Sequence, residues 1–479
     1  MVRAIIITEL DESGRTHSND TQLRGDEITA RSTARNQRPI QIQVLDFVTK
    51  VFLPAGYPAS VSPDYLRYQI FNALQAFCSS LAGLLSSRAI LEGFGVGNAE
   101  ASATHALLLT VLQDSFSRVT TILGAYIVGP SLSPEAKTFR IIADVSNDAA
   151  IILDTLSPLF DSPALPIKLP GARVAALCAS GTLRAMCGIA AGGSKAALTA
   201  HFATPINGPG DIGDLNAKDS SKETVLALLG MLVGSMIVPY LTTPWTTYPV
   251  LFALVGLHLA LNYVGIRGVV LRSLNRQRMS IVWDVYRESG DTKFASPTQA
   301  SHIERIFQRP GLLRDHLTGR VAGHCTIGSS LTAILENHLI PLPLVESLKA
   351  ESYILWFDRS CLSSRPGGAD QLLPGPVRLH ICLKQGYTTA DQLKAWAHAS
   401  EVGRMLLLQQ RASFPLPDPA QLILAAHLRV DRVFADFLQG LRNVGWNTMD
   451  TALMPGSPRA LVLSMEQADL EVMEEKKQK

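Results

Sequence analysis

The first part of the chain consists of apolar segments with few charged side chains. Residues 68–87 contain no Asp, Glu, Lys or Arg. Similar segments, rich in Ala, Gly, Ser and Leu, follow at about 99–128, 134–160, 173–203 and 222–275. Three glycine pairs, Gly93–Gly97, Gly188–Gly192 and Gly230–Gly234, have the GxxxG spacing that lets helices approach closely where water is absent. The pattern predicts a bundle of long α-helices.

One segment is long enough to cross a membrane twice. Residues 224–266 carry no Asp, Glu, Lys or Arg and divide near a PWTT turn into two halves of about twenty residues each, the length that a bilayer core requires. Tyr240 and Trp245 lie at the turn, as aromatic residues do at a lipid–water interface. Four arginines follow between residues 267 and 278, which by the positive-inside rule face the cytosol or its equivalent. The alternative is a buried hairpin in a large soluble bundle.

The composition changes after the arginine-rich segment. Strand-like runs occur at 352–357, 377–384 and 460–465, and two amphipathic helical patterns lie between the second and the third. The predicted fold is therefore mainly α, with a membrane-type helical bundle followed by a small α+β domain. We predict a disordered N-terminal arm at 1–40, the bundle at 41–280 and a cytosolic C-terminal domain with a charged tail at 281–479.

Composition excludes several classes of protein. Charged residues make up 18% of the chain, below the usual 25% or so, and the net charge is only +2. A nucleic-acid partner is not expected, because such proteins usually carry a basic excess. The six cysteines form no CxxC pair, the eleven histidines form no HExxH motif, and no GxSxG or GxGxxG occurs. We therefore expect reduced thiols, no metal, no resident cofactor and no enzymatic activity.

Several ionisable residues interrupt the apolar segments. Asp114 and Arg118 are one helical turn apart, and Arg140, Asp144 and Asp148 recur at intervals of four residues, so that each set shares a helix face. In a low-dielectric bundle such groups must pair or meet water. They indicate either a polar cavity or path for a small solute or proton, or an ion-pair network that locks the helices together.

A glycine-rich segment provides another candidate. The backbone of Gly192, Gly193 and Ser194, with the charge of Lys195, resembles an anion-binding cradle at a helix N-terminus. Lys195 is also a residue that in principle forms a Schiff base with an aldehyde. The alternative is tight helix packing by small residues. For His258, on the apolar hairpin, we predict a hydrogen-bonded core histidine and not a metal ligand.

Four segments in the same order resemble the ROOT UVB SENSITIVE (RUS) family, whose domain is also described as the vitamin B6 photoprotection and homeostasis domain. They are FLPAGYPASVSPDYLRYQIFNALQAF at 52–77 and the segments at 137–160, 188–203 and 211–234. A looser resemblance to the family's C-terminal region lies at 386–399. The resemblance implies links to vitamin B6 status, UV-B responses and membranes, and some plant members are plastid proteins. It implies no established catalytic residues.

Three functions follow as hypotheses. The first is a membrane protein that handles or senses a small anionic solute, with pyridoxal 5′-phosphate as a candidate ligand and with a binding set that comprises Asp114, Arg118, Arg140, Asp144, Asp148 and Lys195. The second is a membrane-anchored scaffold that recruits a protein partner through the C-terminal domain. The third is an enzyme that depends on Lys195. Expected partners are the lipid bilayer, a small molecule, and a family homologue or a second copy.

The expected location is a membrane. The last four residues, Lys-Lys-Gln-Lys at 476–479, fit the dilysine pattern of endoplasmic-reticulum membrane proteins with cytosolic tails. This pattern favours the endoplasmic reticulum, and a mitochondrial or plastid membrane is the alternative.

Overall fold

The chain packs as two compact units, Met1–Val270 and Leu271–Lys479. The computed structural model describes residues 47–96, 102–161, 171–205, 210–335, 340–358, 377–412, 418–454, 456 and 460–462, and four short strands before residue 32. Those strands pair as two antiparallel hairpins, Thr8–Leu10 (β1) with Thr16–Ser18 (β2) and Asp20–Arg24 (β3) with Glu27–Arg31 (β4). The rest of the predicted arm at 1–40 lies outside the described residues.

Long helices form the described part of the first unit after residue 64. They are Tyr65–Gly93 (α1), Ala103–Leu132 (α2), Ala136–Leu156 (α3), Ala172–Phe202 (α4), Ile212–Ile237 (α5) and Pro244–Arg267 (α6). Helix α1 packs on α3, α5 and α6, and α4 packs on α2 and α3. The predicted mainly helical fold is confirmed.

Four of these helices are long and apolar enough to cross a membrane: α1, α4, α5 with the 3₁₀ turn that extends it to Tyr240, and α6. Helices α5 and α6 form the hairpin predicted at 224–266. Its turn lies at 241–243, before the predicted PWTT segment. The reason is Pro244, which fits the first turn of α6 because the N–H groups there have no partner within the helix.

The outer surface of this unit is strongly apolar. On α2, Leu107 and Leu108 are each 62% exposed and Ile122 is 71% exposed. At the hairpin turn Tyr240 is 83% and Trp245 is 89% exposed. Large exposed apolar surfaces are uncommon on soluble monomers and are typical of surfaces that face a membrane or a partner.

The two GxxxG pairs that lie wholly within the described residues, at 188–192 and 230–234, differ in their packing. A Cβ atom at Gly230 would lie 2.6 Å from the Cβ of Ser80 on α1, whereas at Gly188 and Gly192 it would meet nothing within 4 Å. Only the pair on α5 therefore provides a close approach between helices.

We expect Gly230→Val to lower the free energy of unfolding by about 1–3 kcal/mol, because added carbon atoms must displace α1. The measurement is thermal unfolding in detergent, followed by far-UV circular dichroism. Gly256→Val is the matched control on α6, because a Cβ there would meet nothing within 4 Å. Equal effects of the two substitutions would contradict the close approach.

The second unit contains a four-stranded sheet with helices. Its elements are Ser273–Asn275 (β5), Arg276–Glu288 (α7), Pro297–Ile303 (α8), Leu312–Arg314 (β6), Val321–Ile327 (β7), Leu331–Leu335 (α9), Leu342–Ser347 (α10), Tyr353–Asp358 (β8), Val377–Leu383 (β9), Thr389–Ala412 (α11), Pro419–Asn443 (α12) and Asn447–Ala452 (β10). The sheet order is β6-β7-β9-β8, in which β7 and β9 are parallel and the outer pairs are antiparallel. Strands β5 and β10 form a separate parallel pair.

The predicted strands at 352–357 and 377–384 are confirmed as β8 and β9. Of the run at 460–465, only 460–462 is described, and Leu461 there forms a bridge with Lys384. Strand β7 was not predicted, because its sequence VAGHCTI has large aliphatic residues only at its two ends and lacks a sustained apolar pattern. The core is aromatic, since Trp283, Trp356 and Trp396 are all fully buried.

A buried histidine makes this unit sensitive to acid. The Nε2 atom of His398 lies 2.8 Å from the carbonyl oxygen of Ile423 and must donate to it, while Nδ1 lies 3.1 Å from the Tyr353 hydroxyl. Burial lowers the pKa of His398 to about 3. The unfolded chain therefore binds the proton first as the pH falls below about 6.5.

We expect stability to decrease between about pH 6.5 and pH 3, by at most about 1.4 kcal/mol per pH unit from this group. The difference in unfolding free energy between the wild type and His398→Gln, measured by tryptophan fluorescence across this range, isolates the contribution. The unfolding free energy of the variant should decrease less steeply as the pH falls. Parallel pH profiles would exclude His398 as the cause.

Candidate functional site

Three hydrogen bonds join α1 and α3 at intervals of seven residues on both helices. Arg140 Nη2 lies 3.1 Å from Asn72 Oδ1, Asn147 Nδ2 lies 3.1 Å from Ser79 Oγ, and Ser86 Oγ lies 3.3 Å from Asp154 Oδ2. Seven residues are about two helical turns, so the contacts follow one seam between parallel helices. We call these six residues the polar ladder. From Arg140 to Asp154 it extends about 21 Å along α3.

Charged partners border the ladder. Arg140 is 3.9 Å from Asp144, and both side chains are nearly buried. One turn further along α3, Asp148 accepts from His258 Nδ1 of α6 at 2.7 and 2.9 Å, and each side chain is only 3% exposed. The prediction that His258 is a hydrogen-bonded core histidine is confirmed.

At the far end of the ladder, Asp154 is fully buried and pairs with Arg184 of α4. Its Oδ1 atom makes no hydrogen bond with any described residue, and neither does Nδ2 of Asn262, a buried side chain one turn after His258. Buried polar atoms normally have partners. The interior therefore has hydrogen-bonding capacity that a water or a small solute would satisfy.

A second polar cluster joins the start of α1 to α5. Asp219 accepts from the Tyr65 hydroxyl at 3.0 Å and from Gln69 Nε2 at 3.0 Å, and Lys222 Nζ is 2.7 Å from Asp219 Oδ1. Lys222 Nζ also donates to the Tyr65 hydroxyl oxygen at 2.7 Å. The carboxylate is thus held by three donors from two helices.

Asp64 joins three segments at this end of the bundle. It accepts from His201 Nε2 at 3.0 Å, from the Ser62 hydroxyl at 2.6 Å and from the backbone N–H of Val270 at 2.8 Å. Burial alone would raise its pKa, but the hydrogen bond and charge of His201, with the Ser62 and Val270 donors, lower it below the ordinary value. Asp64 therefore fixes the ends of α1, α4 and α6 together.

The structure separates the residues that the sequence grouped. Arg140, Asp144 and Asp148 lie in or beside the polar ladder. Asp114 and Arg118 instead form a salt bridge of 2.7 Å on α2, with side chains 54% and 77% exposed. The one-turn spacing brings Asp114 and Arg118 together, but the packing of α2 on α4 leaves their face of α2 on the outside of the unit.

The hypothesis of an anion cradle at 192–194 is wrong. These residues lie inside the continuous helix α4, where backbone N–H groups are used by the helix itself. The Ser194 hydroxyl donates to the Ala190 carbonyl at 2.6 Å, and a Cβ at Gly193 would collide with Leu132. The alternative of tight packing describes Gly193 correctly. Lys195 pairs with both carboxylate oxygens of Glu223, at 2.8 and 2.9 Å.

Of the six ladder residues, only Arg140 belonged to the candidate set predicted from the sequence. Asn72, Ser79 and Ser86 recur every seven residues within an apolar helix, and Asp154 continues the spacing of Arg140 and Asn147. That shared period was the available signal. Among the described residues, no group of three or more His, Cys, Asp or Glu side chains is placed to hold a metal.

Comparison with known proteins agrees with the resemblance seen in the sequence. A family model described as the vitamin B6 photo-protection and homoeostasis domain matches residues 39–290, and one described as the root UVB sensitive protein C-terminal region matches 375–460. RUS family member 1 of Dictyostelium discoideum is 34% identical over 262 residues, which are 54% of this chain and 47% of that protein, so that about half of the relative's length is covered.

Two Arabidopsis thaliana relatives align over most of their length. Protein root UVB sensitive 3 is 28% identical over 429 residues, 88% of each chain. Protein root UVB sensitive 2, chloroplastic, is 24% identical over 439 residues, 91% of this chain and 90% of that protein. No solved structure matches the chain.

Proposed function

Because the chain belongs to the root UVB sensitive family, we propose that it is a membrane protein whose helical unit handles or senses a small anionic solute. The solute would bind along the polar ladder. The vitamin B6 description of the matched domain makes a phosphorylated vitamer the first candidate.

The observation that carries the proposal is the distribution of polarity. The first unit is apolar outside and charged inside, with fully or nearly fully buried carboxylates at Asp148 and Asp154. Three of the four candidate spans, α1, α4 and α6, pack on α3, the helix that carries these groups. Ionisable groups within membrane helices are costly, and they commonly mark ion, proton or substrate pathways. A purely structural network would not require buried atoms without a hydrogen-bond partner, such as Asp154 Oδ1.

Arg140 is the group best placed to contact an anion. Its guanidinium spans the seam between α1 and α3: it donates to Asn72 Oδ1 at 3.1 Å and lies 3.9 Å from Asp144. It therefore places a fixed positive charge within the polar ladder, where an anion would bind. Lys195 is less favourable, because Glu223 holds its ammonium with two short hydrogen bonds.

The test is binding of pyridoxal 5′-phosphate and pyridoxine to the full chain in lipid nanodiscs. We expect Arg140→Gln to weaken binding of the phosphorylated vitamer by about tenfold or more, the effect of one lost charged hydrogen bond. The matched control is Arg118→Gln, which removes the same charge from an exposed pair. Equal affinity of a folded Arg140→Gln protein would remove the basis of the proposal.

A scaffold is the second candidate, and the separate packing of the second unit favours it. On that alternative, Arg140→Gln would leave the function of the protein in the cell intact, provided that the protein folds.

The third candidate is an enzyme that depends on Lys195. It predicts an adduct between Lys195 and a vitamer aldehyde, which borohydride traps and which Lys195→Ala removes. The ion pair with Glu223 gives this candidate the least support.

A further inference from the structure

Helix α2 packs on α4 along one side. A Cβ atom at Gly181 of α4 would lie 2.8 Å from Gln113, and one at Gly193 would collide with Leu132, so the two helices follow each other from Gln113 to the end of α2. Because α4 is one of the four candidate spans, the membrane assignment places α2 in lipid beside it. The side of α2 that faces away from α4 is exposed.

This exposed side has a regular pattern of positions, which we call the outer face. It consists of Leu107, Val111, Asp114, Arg118, Ile122, Ala125 and Gly129. Successive members are three or four residues apart, the spacing of a helix side that packs on another helix. All of them except Gly129 are exposed in the single chain, and a Cβ atom added at Gly129 would meet nothing within 4 Å. The outer face is therefore open along its whole length.

A charged pair lies in the middle of the outer face. Asp114 and Arg118 are near the centre of the 30-residue helix, with uncharged members of the face on both sides. Their side chains, joined by a salt bridge of 2.7 Å, are 54% and 77% exposed. Charged side chains in membrane helices are costly and almost always face other protein or water. A single copy exposes this pair to lipid, so a partner that covers the outer face would lower the cost.

We propose that the outer face binds the same face of a second copy of this chain. Two copies in one membrane have the same orientation, so a two-fold axis along the membrane normal brings two α2 helices together in the same direction. Asp114 of each copy then lies about 6 Å along the helix axis from Arg118 of the other, an offset that the long arginine side chain spans. The face is thus complementary to itself in charge, which favours a second copy over an unrelated apolar helix.

Small residues at one end of the outer face fit the same arrangement. Ala125 and Gly129 have the small-xxx-small spacing through which membrane helices approach closely. The face lies on α2, whereas the polar ladder lies between α1 and α3, so the proposal does not depend on a solute site. Detergent covers the same face, so folding experiments in detergent measure a single copy, to which an exposed ion pair contributes little.

The test is energy transfer between full chains fused to a donor or an acceptor fluorescent protein and reconstituted together into liposomes at a large excess of lipid. We expect the wild type to associate, and Asp114→Arg and Arg118→Asp each to weaken association about tenfold or more, because each places like charges against each other. A mixture of the two variants, one with the donor and the other with the acceptor, should regain energy transfer. The matched control is Glu92→Arg, the same exchange in an exposed pair with Arg88 on α1, which should leave association unchanged.

A second variant keeps all charges and changes only the approach of the two copies. Ala125 is exposed in the single chain, so Ala125→Leu should fold normally, yet the larger side chain would hold the two α2 helices apart and weaken association. Ala175→Leu, at an exposed position of α4, is its control. Absence of energy transfer between wild-type chains, no recovery in the mixture of charge variants, or unchanged association of Ala125→Leu would each overturn the proposal.

Discussion

Replacement of His258 by leucine is expected to lower the free energy of unfolding by about 3–5 kcal/mol, because it leaves a buried carboxylate without its partner. Asp148 and His258 are each 3% exposed and join α3 to α6. The measurement is denaturation in detergent, followed by far-UV circular dichroism. This effect is the largest that we expect from a single substitution in the helical unit.

The double variant Asp148→Leu/His258→Leu identifies the cause. Replacement of a whole buried ion pair by apolar residues is often neutral or stabilising, so most of the loss should be recovered. Asp114→Leu on α2 is the control, because its pair is exposed and should change stability by less than about 1 kcal/mol. A loss in the double variant as great as in His258→Leu would show that packing of the ring, and not the unpaired charge, is responsible.

Glu401→Gln should produce a loss of similar size in the second unit, about 3–5 kcal/mol. Glu401 is fully buried, accepts from Trp283 Nε1 at 3.2 Å and pairs with Arg404 at 3.1 Å and with Arg287 at 3.4 Å. Glutamine keeps the size of the side chain and removes the charge that pairs with these two arginines and with Arg429 at 3.6 Å. Tryptophan fluorescence is the appropriate measurement, since four of the five tryptophans follow residue 270.

The control for Glu401 is Asp431→Asn. Asp431 pairs with Lys394 at 2.8 Å, but its side chain is 60% exposed, so the loss should stay below about 1 kcal/mol. If both variants lost the same small amount of stability, the packing of Arg287 and Arg404 around Glu401 would not depend on the charge of Glu401.

The helices and the hairpin were predictable because they depend on local patterns. A segment of about forty residues without formal charge, such as 224–266, forms few structures other than two packed or membrane-spanning helices. The short strands β6 and β7 were not predictable in this way. Strand β7 is paired on both sides within the sheet, and its neighbours, not its own alternation, stabilise it.

The candidate site was predictable in part. The four-residue spacing of Arg140, Asp144 and Asp148 correctly placed them on one face of α3. Their partners could not be derived, since the contact of Asp148 with His258 joins residues 110 positions apart and depends on which helices pack together. Asp114 had the same local spacing to Arg118, yet packing directed that pair outward, where it is largely exposed.

Extraction of native membranes with alkaline carbonate tests directly whether the helical unit lies in lipid. We predict that the full chain remains with the membrane pellet, because four candidate spans hold it there. Release of the intact chain into the carbonate supernatant would contradict the membrane assignment and remove the reason to treat the buried charges of the polar ladder as a solute site.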